Sequence, residues 1–385
     1  MKKIIIGVAI LFASSIVMAQ NNQSIVSQSG PSNSAAITQS GAENVSKLLQ
    51  EVKSNNATVN QAGDGNILQN SKLVTNNPGF AHQRATSILE VDQIGDDNLV
   101  GSFQNNQKNI ASALQNGGDN KADIWQQAFG GPVSGNSADI DQVGSENTVD
   151  IFQKGDENEA ISSQQGDKNS GSISQDGYHL MPGLAGGIDN SAKIEVYGDD
   201  NATHIQQVGD ADEASNWING DENITSQLQD GYGNSQRVEI TGDQNTVEVT
   251  QYSDDNKAYL NLRGTGPGAI ANGASNNNVL TVMQDGEGNL VSGSVTGDEN
   301  AVDIAQTGVG NKVGTGFWTA DGIQVGGDLN VIDILQDGNM NTADAYVLGN
   351  SNTIDVQQYN NDNFSTNNVV GSGNSITVVQ SSMLP

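Results

Sequence analysis

The feature that most restricts this chain is a beat of 11 residues. Gly144, Gly155 and Gly166 stand 11 apart, as do Asn147, Asn158 and Asn169, and Gln142, Gln153 and Gln164. The unit reads Asn-x-apolar-x-apolar-x-Gln-x-Gly-x-x and recurs 29 times between Asn22 and Gln380. A chain that meets the same local problem so often solves it the same way each time, so a stack of equal pieces is expected rather than a globule. Composition alone points elsewhere. With 16% charged residues, 4% aromatics and a net charge of −30 over 385 residues, the chain has the profile of a disordered polymer. Disorder gives no reason to hold a register, so the periodicity outweighs the composition.

Within a unit the chemistry alternates as in a strand. From Asn147 to Gln153 the even steps are Asn147, Val149, Ile151 and Gln153, and the odd ones are Thr148, Asp150 and Phe152. From Asn245 to Gln251 the even set is Asn245, Val247, Val249 and Gln251. A period of two sends one set inward and the other outward. The Gly-x-x link is then a tight turn, where Gly144, Gly155, Gly166, Gly242, Gly297, Gly338 and Gly349 supply a positive φ.

After residue 190 a second beat, of 22, overlies the first. Val196, Ile218, Ile240, Leu262, Val295, Phe317, Val347 and Val369 hold the Gln position in every other unit. Gln207, Gln229, Gln251, Gln284, Gln306, Gln336, Gln358 and Gln380 hold it in the units between. One coil is therefore strand, turn, strand, turn. The fold expected over residues 20–385 is all-β, a two-sided β-solenoid of about 14.5 rungs, on the order of 70 Å long at about 4.8 Å per rung. Keeping the phase makes the stretches near 74–86, 127–135, 176–189, 263–277 and 314–326 enlarged turns.

In such a stack identical inward side chains lie over one another. A lone buried amide is costly, about 1–3 kcal/mol when unpaired. In a column each amide donates to one side and accepts from the other. The residues expected to form these ladders, and by the same chemistry to join one molecule to the next, include Gln142, Asn147, Gln153, Asn158, Gln164, Asn169, Gln229, Asn245, Gln251, Asn300, Gln306, Gln336, Asn352, Gln358, Asn374 and Gln380. No polar capping unit is legible before Asn22 or after Gln380. Open edges of this kind are expected to stack head to tail into a fibre.

The first 19 residues read as a secretory signal peptide. Lys2 and Lys3 precede an apolar run from Ile4 to Val17, and Val17-Met18-Ala19 offers a cleavage site. Removing Lys2 and Lys3 leaves 13 basic against 45 acidic residues, a net charge of −32, which disfavours nucleic acid and anionic lipid as partners. No later stretch is apolar for long enough to span a membrane. There is no cysteine, so no disulfide framework.

Other functional classes find less support. The acidic residues sit in turns and at outward steps, and His82, His179 and His204 lie apart from any nucleophile or metal-ligand spacing. No enzyme, cofactor or dedicated metal site is expected. Calcium-binding β-rolls repeat every nine residues with Asp at a fixed place, whereas here Ser145 and Tyr232 replace the Asp after the turn glycine. A monomeric adhesin or surface nucleator is the alternative, although the outward steps carry no regular Thr column. Phe103, Trp125 and Phe152 at outward steps, with Phe80, Leu184 and Trp318 in loops, are candidate lateral contacts.

The motif Gln-x-Gly-x-x-Asn followed by apolar alternation resembles the curlin repeat of curli major subunits. Gln153, Gly155 and Asn158 form one instance, and Gln229, Gly231 and Asn234 another. The resemblance covers Asn22 to Gln380, with more copies than the known pattern usually carries. It implies a secreted functional amyloid of a biofilm matrix. Such a chain would be exported through an outer-membrane pore with a periplasmic chaperone and nucleated at the cell surface by a minor homologue.

Overall fold

A computed structural model of the chain describes residues 21–70, 79–105, 108–128, 135–176, 189–262, 275–314 and 322–381. Regular structure among them is entirely β, in 31 strands that form two parallel sheets of 16 and 15 strands. With the exceptions described below, successive strands fall alternately in the two sheets. Each therefore pairs with the next but one, and Val149, Ile151 and Gln153 lie beside Gly171, Ile173 and Gln175. This is the two-sided solenoid that the alternation of units implies.

The alternation within each strand builds the core. In Thr148–Lys154, Val149, Ile151 and Gln153 are buried while the residues between them are half-buried. One apolar cluster runs from Leu48 to Val369, with two inward apolar positions per typical strand. Each fully buried Ile or Val contributes about 1.5–3 kcal/mol, but the layer is thin. Asn and Gln at the strand ends share the interior with it, and Asn147 and Gln153 are both fully buried.

Two of the expected enlarged turns contain strand. Within 74–86, Ala81–Arg84 pairs with Leu48–Glu51, which puts Gln83 beside Gln50 and Gln104. The insertion therefore interrupts a strand after Ile67–Gln69 instead of enlarging a turn. Within 314–326, Ile323–Gly326 completes the strand begun by Lys312–Val313. Val325 then pairs with Val295 and Val347, so the inward place assigned to Phe317 belongs to Val325. The reason is the same in both places. An insertion within a strand costs little if the chain resumes with the inward side chains still in their columns. The signal peptide, Leu184, Trp318, His179 and most of 127–135, 176–189 and 263–277 lie outside the described residues.

Candidate assembly interface

The inward ends of the strands form continuous columns of amides. In the larger sheet a glutamine column runs from Gln28 to Gln380 without a break. Gln126 Nε2 donates to Gln153 Oε1 (2.9 Å), and Gln153 Nε2 to Gln175 Oε1 (2.9 Å). Gln229, Gln251, Gln306, Gln336, Gln358 and Gln380 continue the series. Every bond points the same way, with Nε2 donating toward the C-terminal neighbour. The typical separation is 22 residues, 21 from Gln83 to Gln104, and 27, 30, 32 or 33 where residues are inserted.

A parallel asparagine column stands at the other end of these strands. The Asn169 N–H donates to Asn147 Oδ1 (3.0 Å), and Asn169 Nδ2 donates to Asn147 Oδ1 (3.1 Å) and Gly198 O (2.7 Å). Asn245, Asn300, Asn352 and Asn374 repeat the backbone bond to the preceding asparagine. Asn158 does so in the smaller sheet, whose own glutamine column includes Gln142 and Gln164. That column starts at Gln39 and stops at Gln164, beside Val196.

The turns are part of the same network. Gly144, Gly155, Gly166, Gly242, Gly297, Gly338 and Gly349 all have positive φ, between 115° and 136°. The carbonyls of the first six also accept Asn Nδ2 from the preceding coil. A contact that sequence reading missed is the turn aspartate. Ser145 N–H donates to Asp167 Oδ1 (2.7 Å), Asp167 N–H to Asp199 (2.8 Å), Asp199 N–H to Asp221 (2.8 Å) and Asp221 N–H to Asp243 (2.9 Å). The signal was the recurrence of Gly-Asp on one edge. Each carboxylate ties one turn to the turn before it.

The outward faces are less regular. Phe103, Trp125 and Phe152 stack ring on ring, with centroids 5.9 and 4.4 Å apart, and His82 meets Phe103 edge-on. The rings thus cover each other's faces along the rod axis. Asp303, Asp333 and Asp355 form an outward column. Burial, and then its two acidic neighbours, pushes the Asp333 carboxyl above the ordinary range. Among the described residues no group of three or more His, Cys, Asp or Glu side chains is placed to hold a metal ion.

The two ends leave the columns open. Among the described residues, Gln28 Oε1 has no donor at one edge of the larger sheet, and no asparagine accepts the Asn22 N–H. At the other, Asn374 Oδ1 accepts no N–H among the described residues. Gln380 Nε2 spends one hydrogen on Phe364 O (2.8 Å) and keeps a second. In the larger sheet the acceptor and donor left at one edge match the donor and acceptor left at the other.

These features define a class, a parallel two-sheet β-solenoid held by amide columns, and point to a structural protein. Within it the family model described as the curlin associated repeat matches residues 144–177 and 327–359, so the chain carries curlin repeats. No curated protein matches the chain.

Proposed function

We propose that the protein is a self-assembling subunit of an extracellular, curli-type amyloid fibre of a biofilm matrix. Single chains add head to tail through their open ends. The observation that carries this reading is the complementarity of those ends in the larger sheet. A copy set above Ser375–Ser381 in the 22-residue register brings Asn22 N–H to Asn374 Oδ1 and Gln380 Nε2 to Gln28 Oε1. Ile376 and Val378 are half-buried in the single chain, and Val26 is 41% exposed. The junction would bury them together. The polarity of the glutamine column permits one orientation and disfavours tail-to-tail pairing.

The smaller sheet matches less well. In that register the place between Phe364–Val370 and Ser34–Ser40 of the next copy stays empty, because the smaller sheet has one strand place fewer, so the larger sheet carries the recognition. The partner is a second copy of this chain. By the curlin repeat, an outer-membrane pore, a periplasmic chaperone and a nucleating homologue would serve export and initiation, after removal of residues 1–19.

The test is to purify the chain lacking residues 1–19 and follow it by thioflavin fluorescence, electron microscopy and fibre diffraction. Unbranched fibres with a meridional reflection near 4.7 Å are expected. A monomer that persists at high concentration would overturn the proposal in favour of a monomeric adhesin.

A further inference from the structure

The asparagine column of the smaller sheet passes through Asn136, Asn158 and Asn190, reaches Asp212, and resumes at Asn234 and Asn256. In the flanking coils the amide nitrogen of this side chain reaches a turn carbonyl 19 residues on. Asn190 Nδ2 donates to Gly209 O (2.8 Å) and Asn234 Nδ2 to Ser253 O (2.8 Å). At Asp212 the backbone and one carboxyl oxygen behave as an asparagine would. Its N–H donates to Asn190 Oδ1 (3.0 Å), its carbonyl accepts Gln207 Nε2 (2.9 Å), and Oδ1 accepts the Asn234 N–H (2.9 Å). The second oxygen, Oδ2, is buried with no partner, in a residue only 1% exposed. The carbonyl that corresponds in sequence spacing is that of Gly231.

Where the flanking asparagines carry an N–H, Asp212 carries an oxygen with no hydrogen-bond partner. Hydrogen bonds of about 2.8 Å fill this slot in the flanking coils. At Asp212 only a protonated carboxyl could donate as those amides do. The charged groups around it are acidic: Asp189 on the preceding coil, Asp210 and Glu213 on its own, and Asp230 on the following one. On the next strand, Arg237 is engaged with Glu239.

We infer that Asp212 is a proton-operated latch in the middle of the solenoid. With a proton on Oδ2 it donates where the asparagines donate and closes the column. Without that proton the column is broken at this coil. The neighbouring interior magnifies the break. Asn216, Thr225, Gln227 and Gln236 are buried here with side-chain atoms that have no partner, at places that hold Ala, Val or Ile in most other coils. Water entering at Asp212 would find these groups ready to bind it.

Burial pushes the Asp212 carboxyl up to about 7, against the pull of the Asn234 hydrogen bonds and with the help of Asp210 and Asp230. A group raised in the folded state binds more protons folded than unfolded. Its contribution is complete below about pH 4 and is lost as the pH rises through about 7. This concerns the fold of a single chain and holds whether or not the chains form fibres.

Amide hydrogen exchange read by mass spectrometry over 190–256 tests it on the full-length mature chain and its Asp212→Asn and Asp210→Asn variants. After correction for the intrinsic effect of pH, wild-type protection should fall on the order of 100-fold between pH 5 and pH 8. Asp212→Asn should hold its protection constant, because asparagine is what the flanking coils carry. Asp210→Asn should retain the loss. Wild-type protection that does not change with pH, or an Asp212→Asn profile equal to that of wild type, would overturn the inference.

Discussion

At Gln153 one side chain closes four contacts. Its Nε2 lies 2.8 Å from Ser137 O, 3.1 Å from Asn158 O and 2.9 Å from Gln175 Oε1, and its Oε1 accepts Gln126 Nε2 at 2.9 Å. Replacing it with alanine opens a cavity and strands amides on both sides. We expect Gln153→Ala to cost about 3 kcal/mol, read as earlier urea unfolding and lost exchange protection over 121–176. That Gln153 and Asn147 face inward was legible, because a period of two places them with Val149 and Ile151. The bonds from asparagine to turn carbonyls were not, because they join residues of two coils, and a repeat unit read alone shows only one. Asp212 illustrates the same limit. In sequence it is one conservative replacement in a long series, and only its unpartnered oxygen reveals the cost.

At the scale of the element, the turn decides whether a coil can stack. Gly166 has φ of 126°, and a Cβ there would lie 2.1 Å from Gly198 O of the next coil. Gly166→Ala should therefore cost about 3 kcal/mol from strain and overlap, with loss of exchange protection centred on the turns at 166 and 198. The glycine was legible as a turn residue, but its close approach to the next coil was not. Nor was the left-handed residue before each asparagine, such as Glu146, Glu157 and Lys168 with φ of 58°, 62° and 58°. These side chains have no common chemistry. The closure of the turn over the asparagine imposes the conformation. The interrupted strands escaped for a related reason. Ile67–Gln69 and Ala81–Arg84 make one coil position from two fragments, whereas periodicity read along the chain assumes that insertions fall at turns.

At the scale of the molecule, the proposed assembly would use the geometry that gives stability, since the columns run through to the outermost described strands. Val378 is half-buried on the last described strand and would be enclosed at a junction between copies. Val378→Lys should leave the single chain folded, because the ammonium can reach water, yet impose about 3–5 kcal/mol on addition of a second copy. The expected result is an unchanged β-sheet circular dichroism spectrum with elongation abolished in seeded thioflavin assays. Fibres growing at the wild-type rate would separate assembly from this face.

By itself the sequence determined the repeat, the inward and outward faces, the two-sheet alternation and the positions of most turns. Each of these follows from a period, and a period survives in one dimension. The tertiary structure decided what depends on neighbouring coils: the direction of the glutamine column, the aspartate contacts between turns, the strands interrupted at Gln69 and Val313, and the orphaned oxygen of Asp212. The hydrogen-bond partners in these cases lie one coil away, 21 to 33 residues along the chain. The pairing becomes specific only when the coils are set in register.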